Sequence, residues 1–115
     1  MGKDTMEALS TFTFNTHDIR VIDREGNPWF VAADVCRVLG LSNTTVALHH
    51  LTPDERAKAD LGVRGLWPNI ISESGFYRLV MRSDKPEARA FQDWVTRHVL
   101  PAIRKDGAYV MGGTP

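Results

Sequence analysis

The hydrophobic period of this chain changes at Ala32, and that change limits what it can fold into. Upstream, "STFTF" (Ser10–Phe14) alternates in the period of a strand. Two further short runs follow, "IRVI" (Ile19–Ile22) and "WFV" (Trp29–Val31), separated by the turn-forming stretches "NTHD" and "DREGNP". Three short runs joined by tight turns predict a small antiparallel sheet. Downstream, "AADVCRVLG" (Ala32–Gly40) puts Val35, Val38 and Leu39 on one helical face. Asp34 lies in the first turn, where a negative charge suits the helix dipole, and Gly40 can adopt a left-handed cap. A chain that starts as a meander and continues in helices belongs to the α+β class.

The next stretch turns one helix into a pair. "LSN" leads into "TTVALHHL" (Thr44–Leu51), with Ser42 or Asn43 as N-cap and Pro53 as the limit. Two short helices around a turn glycine outline a helix-turn-helix. Cys36, four residues before Gly40, is small enough for a helix crossing. Val35, Leu39, Leu41 and Val46 are expected to face inward, whereas His49 departs from that pattern. The same spacing suits two helices packed through a tight turn with no role in nucleic-acid binding. Asp54–Ala59 reads as a loop or a frayed helix. "GVRG" places Arg64 between two glycines as a hairpin tip, with "NIIS" (Asn69–Ser72) as the returning strand. Such a hairpin can act as a wing whose arginine reaches a phosphate; an exposed arginine on a solvated turn is the plain alternative.

Two C-terminal helices complete the expected fold. Ser72 caps "ESGFYRLVMR", and Phe76, Leu79 and Val80 share a face. Pro86 fits the first turn of the second helix. Phe91, Trp94, Val95, His98, Val99 and Ala102 form its apolar stripe, with Arg89, Asp93 and Arg97 as ion pairs outside. Pro101 interrupts this helix at a cost of ~3 kcal/mol in an isolated interior. A local bend would accommodate it and turn Ile103 and Tyr109 back onto the domain. Trp29, Phe30, Val35, Leu39, Phe76, Phe91, Trp94 and Val95 are expected to form one core.

Length and composition narrow the function classes. At 115 residues the chain suits one domain, and its formal net charge is zero. The single cysteine, Cys36, excludes an internal disulfide and suits a reducing cytosol. No apolar run approaches the ~20 residues of a membrane span, and the N-terminus is polar, so a cytoplasmic location is expected. His17, His49, His50 and His98 show no metal-ligand spacing with Cys36, and no carboxylate pair or phosphate loop stands out. The expectation is therefore no catalysis, no metal and no cofactor.

Five pieces in order, "WFVAADV", "LGLSN", "ESGFYRL", "AFQDWV" and "VLPAIRKDGAY", resemble the N-terminal domain of the BRO family (Bro-N). That domain occurs in prophage antirepressors and baculovirus repeated open reading frame proteins. The resemblance covers Phe12 to Tyr109 and matches little over Thr52–Pro68. It divides the chain into a flexible lead-in (1–9), a Bro-N-like domain (10–109) and a tail or start of a linker (110–115), often followed in relatives by another domain. It implies the DNA-binding domain of a phage or prophage transcriptional regulator of the antirepressor type. Double-stranded DNA is then the expected partner, read by Ser42, Asn43, Thr44, Thr45 and His49, with Arg37 and Arg64 on the flanking backbone. Asn43 suits adenine, and no arginine in that helix reads guanine. Local charge matters more than the total, and the last two helices are basic, from Arg78 to Lys105 with only Asp84, Glu87 and Asp93 against them. Modest affinity makes a homodimer or a second domain useful. The alternative is a protein-interaction module that binds and inactivates a phage repressor without contacting DNA.

Overall fold

A computed structural model describes residues 8–61 and 67–104. Strands β1 (Ala8–Phe14), β2 (His17–Arg24) and β3 (Asn27–Val31) form the expected meander, with β1 starting before Ser10. Helices α1 (Ala32–Leu39) and α2 (Thr44–His49) follow, then a single 3₁₀ turn (Pro53–Glu55). Strands β4 (Arg56–Lys58) and β5 (Asn69–Ile71) precede α3 (Glu73–Arg82) and α4 (Glu87–Trp94). The sheet is antiparallel, in the order β1-β2-β3-β5-β4. The architecture is thus the expected α+β arrangement of a small sheet, a helix pair, a hairpin and two C-terminal helices. The hairpin strands pair Arg56 with Ile71 and Lys58 with Asn69. Asp54–Ala59 is neither a loop nor a frayed helix: Thr52 and Glu55 close a capping box, after which the chain extends into β4. The tip around Arg64 lies outside the described residues.

Alternation along the strands gives the sheet two apolar faces. Val21, Phe30 and Ile71 are register partners on the helix-covered face, and they join the large cluster with Val35, Leu39, Phe76, Phe91 and Val95. Ile22, Val31 and Ile70 belong to a second cluster with Ala59. Trp29 packs there, so it is not part of the helix-side core. Trp94 is half-buried at the edge of the large cluster, against Phe12, Phe14 and Phe91.

The last helix resolves its proline by changing register. Val95–Val99 form a π-helical turn, in which the Leu100 N–H donates to the Val95 carbonyl five residues back. The wider turn sits immediately before Pro101, whose ring would crowd the Arg97 carbonyl in a regular α-helix. It also re-aims the apolar stripe. Val99 and Leu100 are buried and Ile103 is half-buried, while His98 and Ala102 face solvent, contrary to the α-periodic expectation. No ion pair joins Asp93 to Arg89 or Arg97 among the described residues.

Candidate nucleic-acid interface

The turn between α1 and α2 is fixed by its backbone. Gly40 sits at φ 72°, its N–H donates to the Arg37 carbonyl at 3.4 Å, and the Leu41 N–H donates to the Cys36 carbonyl at 2.9 Å. These paired bonds make a Schellman motif, which needs a residue at ease in the left-handed region. The stem of Lys85 lies over Gly40, and Ser83 Oγ donates to the Leu39 carbonyl at 2.7 Å. The loop between α3 and α4 therefore clamps the turn from outside.

Asn43 is the N-cap of α2: its Oδ1 accepts from the Val46 N–H at 3.1 Å. Thr44 hydrogen-bonds the Cys36 thiol across the helix crossing. Burial raises the thiol's pKa, and the Thr44 bond only partly offsets this. At the other end, Arg56 donates to the Leu48 carbonyl at 3.1 Å. Ala47 and Leu48 face the core, and Leu51 continues that side. Val46 instead is 50% exposed, a correction to its expected inward position. The inward register of Ala47, Leu48 and Leu51 also accounts for His49, which stands in the open beside Thr45, Val46 and His50.

Helix α2 is a ridge between two grooves. One, of about 250 Å³, includes Ser42, Asn43, Val46, His50 and Arg82. The other, of about 380 Å³, includes Thr45, His49, Arg56, Lys58 and Asn69. The expected site residues therefore divide: Ser42 and Asn43 on one side, Thr45 and His49 on the other. Thr44 is half-buried and tied to Cys36. Arg37, on α1, is 54% exposed at its side chain and lies 3.4 Å from Asp34. Arg64 falls outside the described residues. Arg56, Lys58, His50 and Arg82 line the same two grooves without being among the residues expected from sequence. Arg56 and Lys58 carry a signal, two cations in strand spacing, which the polar character of Asp54–Ala59 conceals.

Local charge differs from the simple count. Asp34 is buried and accepts from the Arg20 backbone N–H, Nε and a terminal guanidinium nitrogen at 2.9, 2.9 and 3.0 Å. Burial, the largest single influence, pushes its pKa up; the Arg20 bonds and the charges of Arg20 and Arg37 together hold it below the ordinary value. Two arginines share one carboxylate, so this group carries a net positive charge beside the helix pair. Arg78 is 2.8 Å from both oxygens of buried Glu55, and Arg104 pairs with Glu73. The basic run from Arg78 to Lys105 is thus less available than its sequence suggests. Arg82, Lys85, Arg89 and Arg97 have no carboxylate within 4 Å among the described residues.

Comparison with known proteins defines the class to which this fold and ridge belong. Residues 18–101 match the BRO family, N-terminal domain (Bro-N). The chain belongs to the BRO family and carries its N-terminal domain. It is 39% identical over 112 residues to an uncharacterized protein of Haemophilus influenzae, a match covering 88% of this chain and 52% of that protein. It is 29% and 32% identical to "Putative Bro-N domain-containing protein 201R" and "Putative Bro-N domain-containing protein 289L" of Invertebrate iridescent virus 6. Each viral match covers 93% of this chain and 31% of the relative. The chain therefore spans about half of the bacterial relative and about a third of the viral ones. No solved structure matches it significantly. Among the described residues, no helix is long and apolar enough to cross a membrane.

Proposed function

We propose that this domain binds double-stranded DNA through α2, as the DNA-binding part of a phage or prophage transcriptional regulator of the antirepressor type. The observation that carries this reading is the exposed α2 ridge, with Arg82 in one flanking groove and Arg56 and Lys58 in the other. A protruding helix presents side chains to base edges, while cations beside it neutralise phosphates. Thr45, Val46, His49 and His50 form the exposed part of the ridge, and Ser42 and Asn43 stand at its start. Arg37 adds a cation from α1, and Arg64, outside the described residues, is the other cation proposed for the flanking backbone. Membership of the BRO family supports the same reading.

Binding to a repressor protein is the second reading, favoured by apolar side chains left in solvent. Val46 is 50% exposed and Met81 84% exposed. Mobility-shift titrations of the purified domain against its own operator region and unrelated DNA test the choice. DNA binding predicts retarded duplex, tighter on the operator, with affinity falling steeply as salt rises. No retardation at low salt would leave the repressor-binding reading.

A further inference from the structure

We propose that the cleft between α2 and β4 holds a phosphodiester of the DNA backbone, with Lys58 as its principal cation. This rests on the DNA-binding reading and adds a contact from β4 to those of the helix pair.

The cleft follows from strand alternation. Arg56 pairs with Ile71 and Lys58 with Asn69, so all four residues occupy the helix-covered side of the sheet. Ala57 points to the other side, into the second cluster. Sheet order makes β4 an edge strand, so Lys58 and Asn69 lie where the sheet meets solvent, facing Thr45 and His49 on α2. The resulting space of about 380 Å³ is lined by two cations, a histidine, a hydroxyl and an amide, and by no carboxylate. The nearby Glu55 is turned away to Arg78. A lining of cations and neutral donors without an acid suits an anion.

Within the cleft the two cations differ. Arg56 spends one guanidinium nitrogen on the Leu48 carbonyl, which fixes its plane and ties β4 to the end of α2. A guanidinium carries five N–H donors, so the others remain for an anion. Lys58 is exposed and has no acidic partner among the described residues. A duplex whose groove receives the α2 ridge brings a backbone strand alongside that ridge, where this cleft lies. Phosphate contacts of this kind set register and orientation rather than sequence preference.

The test uses fluorescence anisotropy on a short mixed-sequence duplex at about 50 and about 200 mM salt, the range over which phosphate contacts dominate affinity. Three proteins are compared: the parent, Lys58→Gln, and Arg97→Gln, which removes an exposed cation outside the cleft. The parent should bind, and Lys58→Gln should lower the slope of log affinity against log salt by about 0.9, so that it loses about threefold less affinity across the range. Arg97→Gln should keep the parent slope, and all three should melt alike. A parent-like slope in Lys58→Gln would overturn the cleft while leaving the DNA reading in place. Equal slope losses in both variants would also overturn it, because general charge would then suffice. A parent that does not bind duplex at low salt removes both proposals.

Discussion

Asp34 and Glu55 show how far a residue's role can depend on distant partners. Asp34 suits the dipole of α1 on sequence grounds, yet its main partner is Arg20 on β2, 14 positions away and outside any local spacing rule. Glu55 closes the capping box with Thr52 and also accepts from Arg78, 23 positions away. Burial is the largest single influence on Glu55 and raises its pKa; the Arg78 bond, the Thr52 N–H, Ser74 and the Arg78 charge together outweigh it and hold the group at about 2, against an ordinary 4.5. A carboxyl depressed on folding contributes stability above its unfolded pKa and loses it as pH falls through the folded one. The parent should therefore lose melting temperature between pH 4.5 and about 2, and Glu55→Gln should show a shallower fall. Parallel melting curves would assign the acid sensitivity elsewhere.

Ser42 and Asn43 are both eligible as the cap from side-chain type alone, and the start of α2 at Thr44 selects Asn43. That role constrains how the proposed DNA contact could use it. Bidentate reading of adenine needs both amide atoms, and Oδ1 is already bonded to the Val46 N–H. One lone pair of Oδ1 is thus taken and the amide plane is fixed by the cap, while the NH₂ is free to donate. Serine keeps the cap at similar strength but lacks that donor. Asn43→Ser should melt like the parent and lose part of its preference for operator over scrambled duplex. An undiminished preference would remove Asn43 from base reading.

At the scale of elements, the helix pair, the meander and α3 were legible because each announces itself locally through period, cap and turn residue. The last helix was legible as a helix but not in register. At roughly 100° per residue, His98 and Ala102 fall on the Phe91 face; with the π-turn before Pro101, Val99 stays buried, Leu100 joins it, and His98 and Ala102 are left in solvent. That change depends on whether a proline bends a helix or widens it, which packing against the sheet decides. Val99→Ala should cost on the order of 2 kcal/mol, as a buried truncation does, and Phe91→Ala ~3–5 kcal/mol. His98→Ala, on the exposed side, should stay within about 0.5 kcal/mol. Thermal or denaturant unfolding of the three variants reads this directly, and a costly His98→Ala would return the helix to α register.

For the molecule as a whole, the α+β class and the helix pair followed from the sequence, while two consequences of assembly did not. The sheet separates two apolar clusters, so Trp29 and Phe30, adjacent in sequence, serve opposite faces. The hairpin sets Arg56 and Lys58 beside α2, where the polar stretch Asp54–Ala59 becomes one wall of a cleft. The central claim is that the α2 ridge contacts DNA, and Val46 is the residue to challenge. It is exposed, so a larger polar side chain fits. A glutamate there lies in the first turn behind Asn43, where negative charge favours the helix. Loss of fold would therefore not explain a loss of binding. The decisive measurement is the duplex affinity of Val46→Glu against the parent at low salt, with melting temperatures alongside. A carboxylate pressed towards phosphates should weaken binding by at least roughly tenfold, since like charges across an interface cost several kcal/mol and each 1.4 kcal/mol is about a factor of ten. Parent-like affinity in a folded Val46→Glu protein would contradict the account.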